Sequence, residues 1–588
     1  MEKHAISLSS NARLVLEKRY LRKDDFGHLL ESPEDMFRRV AGNIAQADVQ
    51  YDQKAGVVSF EERFYEMLAS LQFMPNSPLL MNAGRRLQQL FGCFVLPLED
   101  SIEDIFEMVK QAALIHKSGG GTGFSFSRIR PKNDRVSTSG GFASGPVSFI
   151  RVFNEATESI NQGGFRRGAN MAVLRVDHPD IIDFIQAKGV EGVLTNFNIS
   201  VGVTDAFMRA VEENQGFPLV NPRTKTVVKT ISATALFEEM ARSAWENGEP
   251  GVLFLDTINA ANPTPLLGAI EGTNPCGEQP LLPFEACALG SINLSGMVTC
   301  THEGYAFDWH RFESAIHLAV HFLDNAIDVN TYPLPQIERI TKGNRKIGLG
   351  VMGLADLLIK LGISYNSEEA VQSVDNLMRF FSQKANEASI KLASERGVFP
   401  NYDKSMYACP ASQKYRNASR TTVAPTGTIS IIAGCSSGIE PLFAVAYKRH
   451  VLVEEGLPEV HPLFIEMAKK RGFYSSKLLE AVSKEGSLQN SRDVPPDVKR
   501  LFVTAHDVSP EQHVRIQATC QKYIDSGVSK TINFPQNATI DDVRNVFLLA
   551  YKSGCKGITV YRNQSRVSQA LSLECGCAIE ADTQSDLT

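Results

Sequence analysis

Between about residue 76 and residue 562, short apolar runs alternate with amphipathic helical patterns and glycine-rich turns. This alternation is typical of an α/β domain, in which strands and helices follow one another along the chain. Near the end of the region, Thr539 and Asp542 have the spacing of a helix N-terminal capping box, and Gly554 suits the end of that helix. The apolar run 557–561 then predicts a strand.

The sequence on either side of this region has a different hydrophobic pattern. Apolar periodicity within the first seventy-odd residues predicts helices, whereas the residues after Arg562 are mostly polar. We therefore predict an N-terminal helical domain over residues 1–75, an α/β domain over residues 76–562 and a flexible C-terminal tail over residues 563–588.

Composition and charge exclude several classes of protein. The 588 residues are 43% hydrophobic and carry a net charge of −6, so there is no overall positive field to attract a nucleic acid. No apolar stretch is suited to a membrane span, and the first residues lack the apolar core of a secretory signal. We expect a cytoplasmic protein with no nucleic-acid or membrane partner.

Cysteines are sparse for a chain of this length, and no Cys-x-x-Cys pair occurs among the ten. This pattern argues against a disulfide framework and against a zinc ribbon. One Cys-x-Cys pair, Cys575 and Cys577, lies in the polar tail, where exposed thiols could exchange with a disulfide or bind metal adventitiously.

The segment 273–280, TNPCGEQP, is the most informative for chemistry. In an extended conformation Asn274, Cys276 and Glu278 would project to one side, which would place a thiol between an amide and a carboxylate. Taken alone, the segment is equally compatible with a loop that holds a buried, inert cysteine.

Three glycine-rich segments could bind anions. The first is KSGGGTG from Lys117, which lacks the Gly-Lys-Ser/Thr ending of a Walker loop and also fits a tight turn. The second is PTGTIS from Pro425, in which hydroxyls and amides could bind phosphate or introduce a buried strand. The third is GGFRRGAN from Gly163, where Arg166 and Arg167 suit anions but also a solvated basic loop.

Taken together, these segments resemble the catalytic subunit of ribonucleotide reductases. Their sequences are most similar to those of the adenosylcobalamin-dependent class II. The signatures occur in one linear order over nearly the whole chain. They are KSGGGTGFSFSRIRP from Lys117, GGFRRGANMAVLRVDHPD from Gly163, NPCGEQPLLPFEACALGSINLS from Asn274, NRKIGLGVMGLADLL from Asn344, APTGTISIIAGCSSGIEPLF from Ala424 and GCKGITVYR from Gly554.

The resemblance implies a ten-stranded α/β barrel, made of two five-stranded halves, with a central finger loop. It also implies that Cys276 forms the thiyl radical that abstracts the ribose 3′ hydrogen, that Glu278 acts as general base on the 3′ hydroxyl, and that Asn274 orients the ribose. Cys93 and Cys287 would supply two electrons and close to a disulfide in each turnover.

Further roles follow from the same resemblance. Cys575 and Cys577 would reduce that disulfide and be recharged by a thioredoxin-like protein. The implied substrate-binding residues are Ser77, Gly92, Gly121, Pro425, Thr426, Gly427, Thr428, Ile429 and Ser430, the last six gripping the phosphates. Asp100 and Arg130 would bind a dNTP or ATP specificity effector, and the loop with Arg166 and Arg167 would relay its identity to the active site. A homodimer is the expected assembly.

Two features indicate the radical source. Reductases that receive the radical from a separate metal-containing subunit use two adjacent tyrosines near the C-terminus, whereas none of the 14 tyrosines here adjoins another. Adenosylcobalamin is therefore the expected cofactor. The motif that ligates cobalt in some cobalamin proteins is only partly matched at Asp308-Trp309-His310, because Glu313 replaces its glycine. The resemblance is to a class that does not use this motif, so we expect no protein histidine on the cobalt.

Two alternatives remain open at this stage. One is a class I-like large subunit that needs a separate radical-generating protein. The other is a nucleotide-binding regulatory protein that has kept the fold without the chemistry, which the presence of Asn274, Cys276, Glu278, Cys93 and Cys287 disfavours. The substrate is expected to be a diphosphate, with a triphosphate as the other possibility.

Overall fold

The computed structural model describes residues 6–51, 57–136, 140–161, 168–302, 304–409, 412–449, 457–565 and 571–572. Within these ranges no helix is both long enough and apolar enough to cross a lipid bilayer. The predicted α/β architecture is present, and its centre is a closed ring of strands.

One half of the ring consists of five neighbouring parallel strands. They are β1 (Cys93–Leu96), β2 (Gly121–Ser125), β3 (Asn170–Arg175), β4 (Phe197–Val203) and β5 (Gly251–Phe254). Almost every residue in them is buried, as expected for parallel strands that are covered on both faces.

The other half contains β6 (Ala286–Asn293), β7 (Ile347–Met352), β8 (Thr531–Phe534) and β9 (Gly557–Arg562). Strand β6 is parallel to β7, and β8 is parallel to β9. The segment 421–423 takes the place between β7 and β8, where it is joined by isolated parallel bridges from Leu349 to Thr421 and from Val423 to Val528.

The two halves run in opposite directions and meet at two antiparallel junctions. Strand β6 pairs with β1, and β9 pairs with β5. The ring therefore has ten positions in two five-stranded halves, which confirms the fold implied by the resemblance.

Helices cover the outside of the ring and connect its strands. Their bounds are Ser77–Asn82, Ile102–Lys117, Pro146–Asn161, Ile181–Ile185, Asp205–Glu212, Ala233–Asn247, Leu255–Ala260, Trp309–Val329, Pro335–Asn344, Leu354–Lys360, Glu368–Arg396, Ile429–Ala433, Pro462–Lys470, Ser476–Glu485, Pro496–Leu501, Pro510–Gln521 and Ile540–Lys552. The last begins with the predicted capping box of Thr539 and Asp542, and β9 follows it as predicted.

The N-terminal region is helical, as predicted, with helices Ser10–Arg19, Pro33–Ala45 and Val57–Ala69. A short strand, Phe73–Pro75, then pairs antiparallel with β6. The domain limits at residues 75 and 562 stay predictions.

Small antiparallel sheets complete the fold. They are the hairpins Gly216–Val220 with Val227–Ser232, Gly272–Thr273 with Pro280–Leu281, and Val298–Thr301 with Gly304–Phe307, and the sheet of Ala446–Arg449, Leu457–Val460 and Leu571–Ser572. In the last of these, residues 571–572 at the start of the tail pair with the strand Ala446–Arg449.

A buried charge network centres on Asp324. Its carboxylate lies 2.9 Å from the guanidinium of Arg345 and 3.3 Å from those of Arg396 and Arg416. Arg396 also pairs with Asp48 from the N-terminal region. Burial by itself would raise the pKa of Asp324, but the three guanidinium groups outweigh it and hold that pKa below its usual range.

We predict that Asp324→Ala lowers the free energy of unfolding by about 3–5 kcal/mol, because it leaves buried guanidinium groups without their counter-charge. Urea unfolding followed by circular dichroism measures the change. Asp541→Ala is the matched control, since that carboxylate is 77% exposed and 3.6 Å from Arg544. Equal effects of the two substitutions would contradict a central role for Asp324.

Candidate active site

A hairpin occupies the interior of the ring and carries Cys276 at its turn. Its strands pair Thr273 with Pro280 and Gly272 with Leu281. The side chain of Asn198, on β4, donates to the carbonyl of Pro275 at 2.8 Å. From the other half of the ring, the Gly527 N–H donates to the Glu278 carbonyl at 2.8 Å. The hairpin is thus held by both halves, as a finger loop should be.

The close approach of the hairpin requires glycine at two positions of the ring. A Cβ on Gly123, in β2, would lie 1.7 Å from the carbonyl oxygen of Thr273. A Cβ on Gly527 would lie 2.5 Å from the carbonyl oxygen of Gly277. No side chain fits at such distances, so the sequence of the ring is adapted to the hairpin.

The expectation of an extended segment through Cys276 is wrong, because residues 275–278 form a turn. Gly277 takes a positive φ of 80°, and its N–H donates to the Asn274 carbonyl at 3.1 Å. Asn274 and Glu278 are buried, at 1% and 3% exposure, whereas Cys276 is exposed at the tip. The turn therefore separates the exposed thiol from its two buried polar neighbours in the sequence.

Cys93 and Cys287 lie directly opposite each other across the antiparallel junction of β1 and β6. Residues in such a register have Cα atoms about 4.5–5.5 Å apart, which is within the range of a disulfide. Both are drawn as thiols and not as a disulfide in the structure. The predicted redox pair is therefore brought together by the fold.

The hairpin links this pair to the turn of Cys276. The Asn274 side-chain amide donates to Cys93 Sγ at 3.1 Å, and the Cys93 thiol lies 3.9 Å from Glu278 Oε1. A thiol, an amide and a carboxylate thus meet at the hairpin that carries Cys276. Such a set can donate hydrogen atoms, hold a hydroxyl group and accept a proton.

A buried ion pair beside Cys287 was not predicted. Lys346 Nζ lies 2.6 Å from Glu285 Oε2, and both side chains are at most 3% exposed. Asn344 donates to the second oxygen of the same carboxylate at 2.5 Å. The signal available in the sequence is alternation along a strand, since Glu285 and Cys287 are two residues apart and share a face.

Above the hairpin, a cavity of about 1360 Å³ opens onto Cys276. Pro425 and Ser430 of the predicted phosphate-binding loop line the same cavity. Within that loop Thr426 has a positive φ of 55°, and its hydroxyl accepts from the Gly438 N–H at 2.7 Å. Gly427 is exposed, and Thr428 precedes the short helix that begins at Ile429. The hydrogen bond between Thr426 and Gly438 therefore helps to fix the shape of the loop.

Of the other predicted substrate-binding residues, Gly92 and Gly121 lie near the hairpin. Gly121 donates its N–H to the Gly92 carbonyl at 2.8 Å and lies against Pro275. Ser77 begins a helix, and its hydroxyl lies 2.7 Å from the Tyr20 hydroxyl of the N-terminal region.

The predicted effector residues Asp100 and Arg130 are in contact. Arg130 Nε lies 2.7 Å from Asp100 Oδ2, and the Arg130 N–H donates to the other carboxylate oxygen at 3.1 Å. Arg166, Arg167, Cys575 and Cys577 lie outside the described residues.

Comparison with known proteins identifies a family for both parts of the chain. The family model of the ribonucleotide reductase barrel domain matches residues 91–561, and that of the ribonucleotide reductase all-alpha domain matches residues 6–88. A Thermoplasma acidophilum protein named vitamin B12-dependent ribonucleoside-diphosphate reductase is 48% identical over 97% of this chain and 81% of its own length. A protein of the same name from Mycobacterium tuberculosis (strain CDC 1551 / Oshkosh) is 49% identical over 96% of this chain and 81% of its own.

The fold has a solved counterpart. The class Id ribonucleotide reductase alpha subunit of Actinobacillus ureae superposes with a TM-score of 0.77 over 95% of this chain and 97% of its own, at 22% identity. That likeness concerns the fold alone.

We predict that Gly123→Ala displaces the hairpin and lowers activity at least tenfold, because the added methyl group overlaps the Thr273 carbonyl. Gly296→Ala is the matched control, since its Cβ would make only an ordinary 3.8 Å contact with Asn293. Turnover number and thermal unfolding midpoint are measured for both variants. Full activity in the Gly123 variant would show that the hairpin does not need this close contact.

Proposed function

This chain belongs to the ribonucleotide reductase family, and on that premise we propose that it reduces ribonucleoside diphosphates to 2′-deoxyribonucleotides with adenosylcobalamin as radical source. The two relatives described above share about half of its residues and carry that activity in their names. The observation that carries the proposal is the connection of three thiols through one hairpin: Cys276 lines the cavity at the turn, and Asn274 of the same hairpin contacts Cys93, which lies opposite Cys287.

The cavity is larger than most small-molecule sites, as a large cofactor requires. Its volume of about 1360 Å³ exceeds the usual range of small-molecule pockets, about 300–1,000 Å³. Hydroxyl groups of Ser436, Ser437, Ser529 and Thr559 are among its lining and would hold polar substituents of the cofactor. When bound, adenosylcobalamin supplies an organic radical close to Cys276.

Each of the three hairpin residues Asn274, Cys276 and Glu278 then has its own role in the reaction. Cys276, as a thiyl radical, takes the hydrogen from C3′ of the ribose, and it returns that hydrogen at the end of the cycle. Glu278 accepts the proton of the 3′ hydroxyl, while the Asn274 amide orients the ribose and contacts Cys93. The 2′ hydroxyl leaves as water, and Cys93 and Cys287 provide two protons and two electrons as they close to a disulfide.

The substrate is bound by the surrounding loops. The phosphates bind at Pro425–Ser430, whose backbone amides and hydroxyls are suited to anions. The ribose lies between this loop and the Ser77, Gly92 and Gly121 side of the ring. Support for this placement comes from the shared cavity of Cys276, Pro425 and Ser430.

Control and assembly complete the proposal. A dNTP or ATP effector binds at Asp100 and Arg130, and the loop with Arg166 and Arg167 passes its identity to the active site of a homodimer. A thioredoxin-like protein recharges Cys575 and Cys577 in the cytoplasm. The small number of cysteines for a chain of this length fits a reducing compartment.

The alternative is a class I-like subunit that depends on a separate radical-generating protein. The absence of adjacent tyrosines in the sequence disfavours it. Deoxynucleotide formation by the purified chain with a dithiol and an effector, with and without adenosylcobalamin, decides between the two. Product that appears only after a partner protein is added would support the alternative.

We predict that Cys276→Ser abolishes deoxynucleotide formation while leaving nucleotide binding intact, because an O–H bond is too strong to be exchanged for the ribose C–H bond. Cys409→Ser, at another exposed cysteine, is the control and keeps full activity. Product is measured by chromatography, and nucleotide affinity is measured by calorimetry. Turnover by the Cys276 variant would contradict the assigned role.

We also predict that the double variant Cys575→Ser/Cys577→Ser loses turnover with a thioredoxin-like reductant but keeps it with dithiothreitol, which can reach the disulfide without the tail. Steady-state rates with each reductant test this. Equal rates of variant and parent with the protein reductant would remove the tail from the redox pathway.

A further inference from the structure

The two sulfurs of the proposed redox pair have unlike surroundings. Cys93 is 5% exposed and contacts Asn274 and Glu278 on the side of the hairpin. Cys287 is fully buried, and its thiol donates only weakly, to the Lys346 and Ala288 carbonyls at 3.5 and 3.7 Å. An incoming thiol therefore meets Cys93 first.

A buried lysine lies beside Cys287. The ammonium of Lys346 is buried there with Glu285. Lys556 is a second buried lysine close by, and it donates to the carbonyl oxygens of Asp525 and Ser526. Burial lowers the pKa of Lys556 to about 8, and the neighbouring Lys346 ammonium adds to that lowering.

The charges act on Cys287 in opposite directions. Burial raises the pKa of the Cys287 thiol, the Lys346 ammonium counteracts that rise, and the carboxylates of Glu285 and Glu278 add to it. A thiolate at this position is therefore costly, and Lys346 is the group that reduces the cost.

We propose that an external dithiol reduces the Cys93–Cys287 disulfide by attack on Cys93, and that Lys346 is a positioning residue that stabilises Cys287 as the leaving thiolate. This inference rests on the proposed function, which makes the pair a disulfide once in each turnover.

The steps balance as follows. A thiolate of the external dithiol forms a bond to Cys93 Sγ, the Cys93–Cys287 bond breaks, and its electron pair goes to Cys287, which then takes a proton. The second thiolate of the external dithiol attacks the mixed disulfide and releases Cys93 as a thiolate, which is protonated in turn. The external dithiol is oxidised to a disulfide, and the two cysteines are reduced to thiols.

Thiol–disulfide exchange is faster when the leaving thiol has a lower pKa. The two members of the ion pair should therefore have opposite effects on the reduction rate. Loss of the Lys346 charge slows the departure of Cys287, whereas loss of the Glu285 charge speeds it. A purely structural ion pair predicts the same direction for both, since either change breaks the pair.

The test compares Lys346→Met, Lys346→Arg and Glu285→Gln in the full chain. The disulfide is formed with diamide, so that no turnover is needed, and its reduction by dithiothreitol is followed by rapid acid quench, alkylation and mass spectrometry of the Cys93 and Cys287 peptides. We expect the rate constant to fall about tenfold in Lys346→Met, to be restored in Lys346→Arg and to rise in Glu285→Gln.

Equal slowing by Lys346→Met and Glu285→Gln, or an unchanged rate in Lys346→Met, would overturn the role of Lys346. If Lys346→Met does not fold, an unchanged or slower rate in Glu285→Gln overturns it instead. Quenched samples that carry the mixed disulfide on Cys287 rather than Cys93 would overturn the direction of attack. Failure of the proposed function is distinguishable, because it leaves these rates unaffected and removes deoxynucleotide formation with adenosylcobalamin.

Discussion

The hairpin inside the ring is the constraint on which the rest of the site depends. It fills a space that the strands of an ordinary barrel fill with side chains. That exchange is possible only because Gly123 and Gly527 leave room for the backbone of the hairpin. Hydrogen bonds from Asn198 and from the Gly527 N–H then hold the hairpin in a fixed position inside the ring. Preorganisation of this kind keeps a reactive cysteine at the point where a substrate can meet it.

The opposite directions of the two halves have a separate effect. At the junction of β1 and β6, residues from distant parts of the chain face one another in register. A continuous parallel ring would contain no such antiparallel pairs. The proposed redox pair therefore belongs to the architecture of the ring, while Cys276, the proposed radical cysteine, belongs to the hairpin, whose Asn274 amide contacts Cys93.

Much of the fold could be predicted from the sequence, because local signals were strong. The capping box at Thr539 and the apolar run after Gly554 identified a helix and a strand that the structure contains. The order of long motifs identified the family and its barrel. The conformation around Cys276 was predicted wrongly, since alternation assumes an extended chain, whereas Gly277 and the Asn274 carbonyl form a turn.

Other parts of the site depend on contacts that no local pattern contains. The opposition of Cys93 and Cys287 follows from ring closure, and without the resemblance to a known family the residues themselves indicate no pairing. The Lys346 and Glu285 pair was missed for a related reason. A lysine and a glutamate far apart in the chain are usually solvated, and only the packing of β6 beside β7 buries them together.

The segment 421–423 holds its place in the ring by isolated bridges, in contrast to the continuous ladders elsewhere. It leads directly into Pro425–Ser430, and Thr422 within it donates to the Glu278 carbonyl of the hairpin at 2.9 Å. Backbone hydrogen bonds join this seam to both neighbours, from the Thr422 N–H to the Leu349 carbonyl at 2.9 Å and from the Val423 N–H to the Gly527 carbonyl at 3.1 Å. A ligand that binds the loop more tightly when the ring is closed also stabilises this seam. Occupancy of the cavity and closure of the ring are therefore thermodynamically linked.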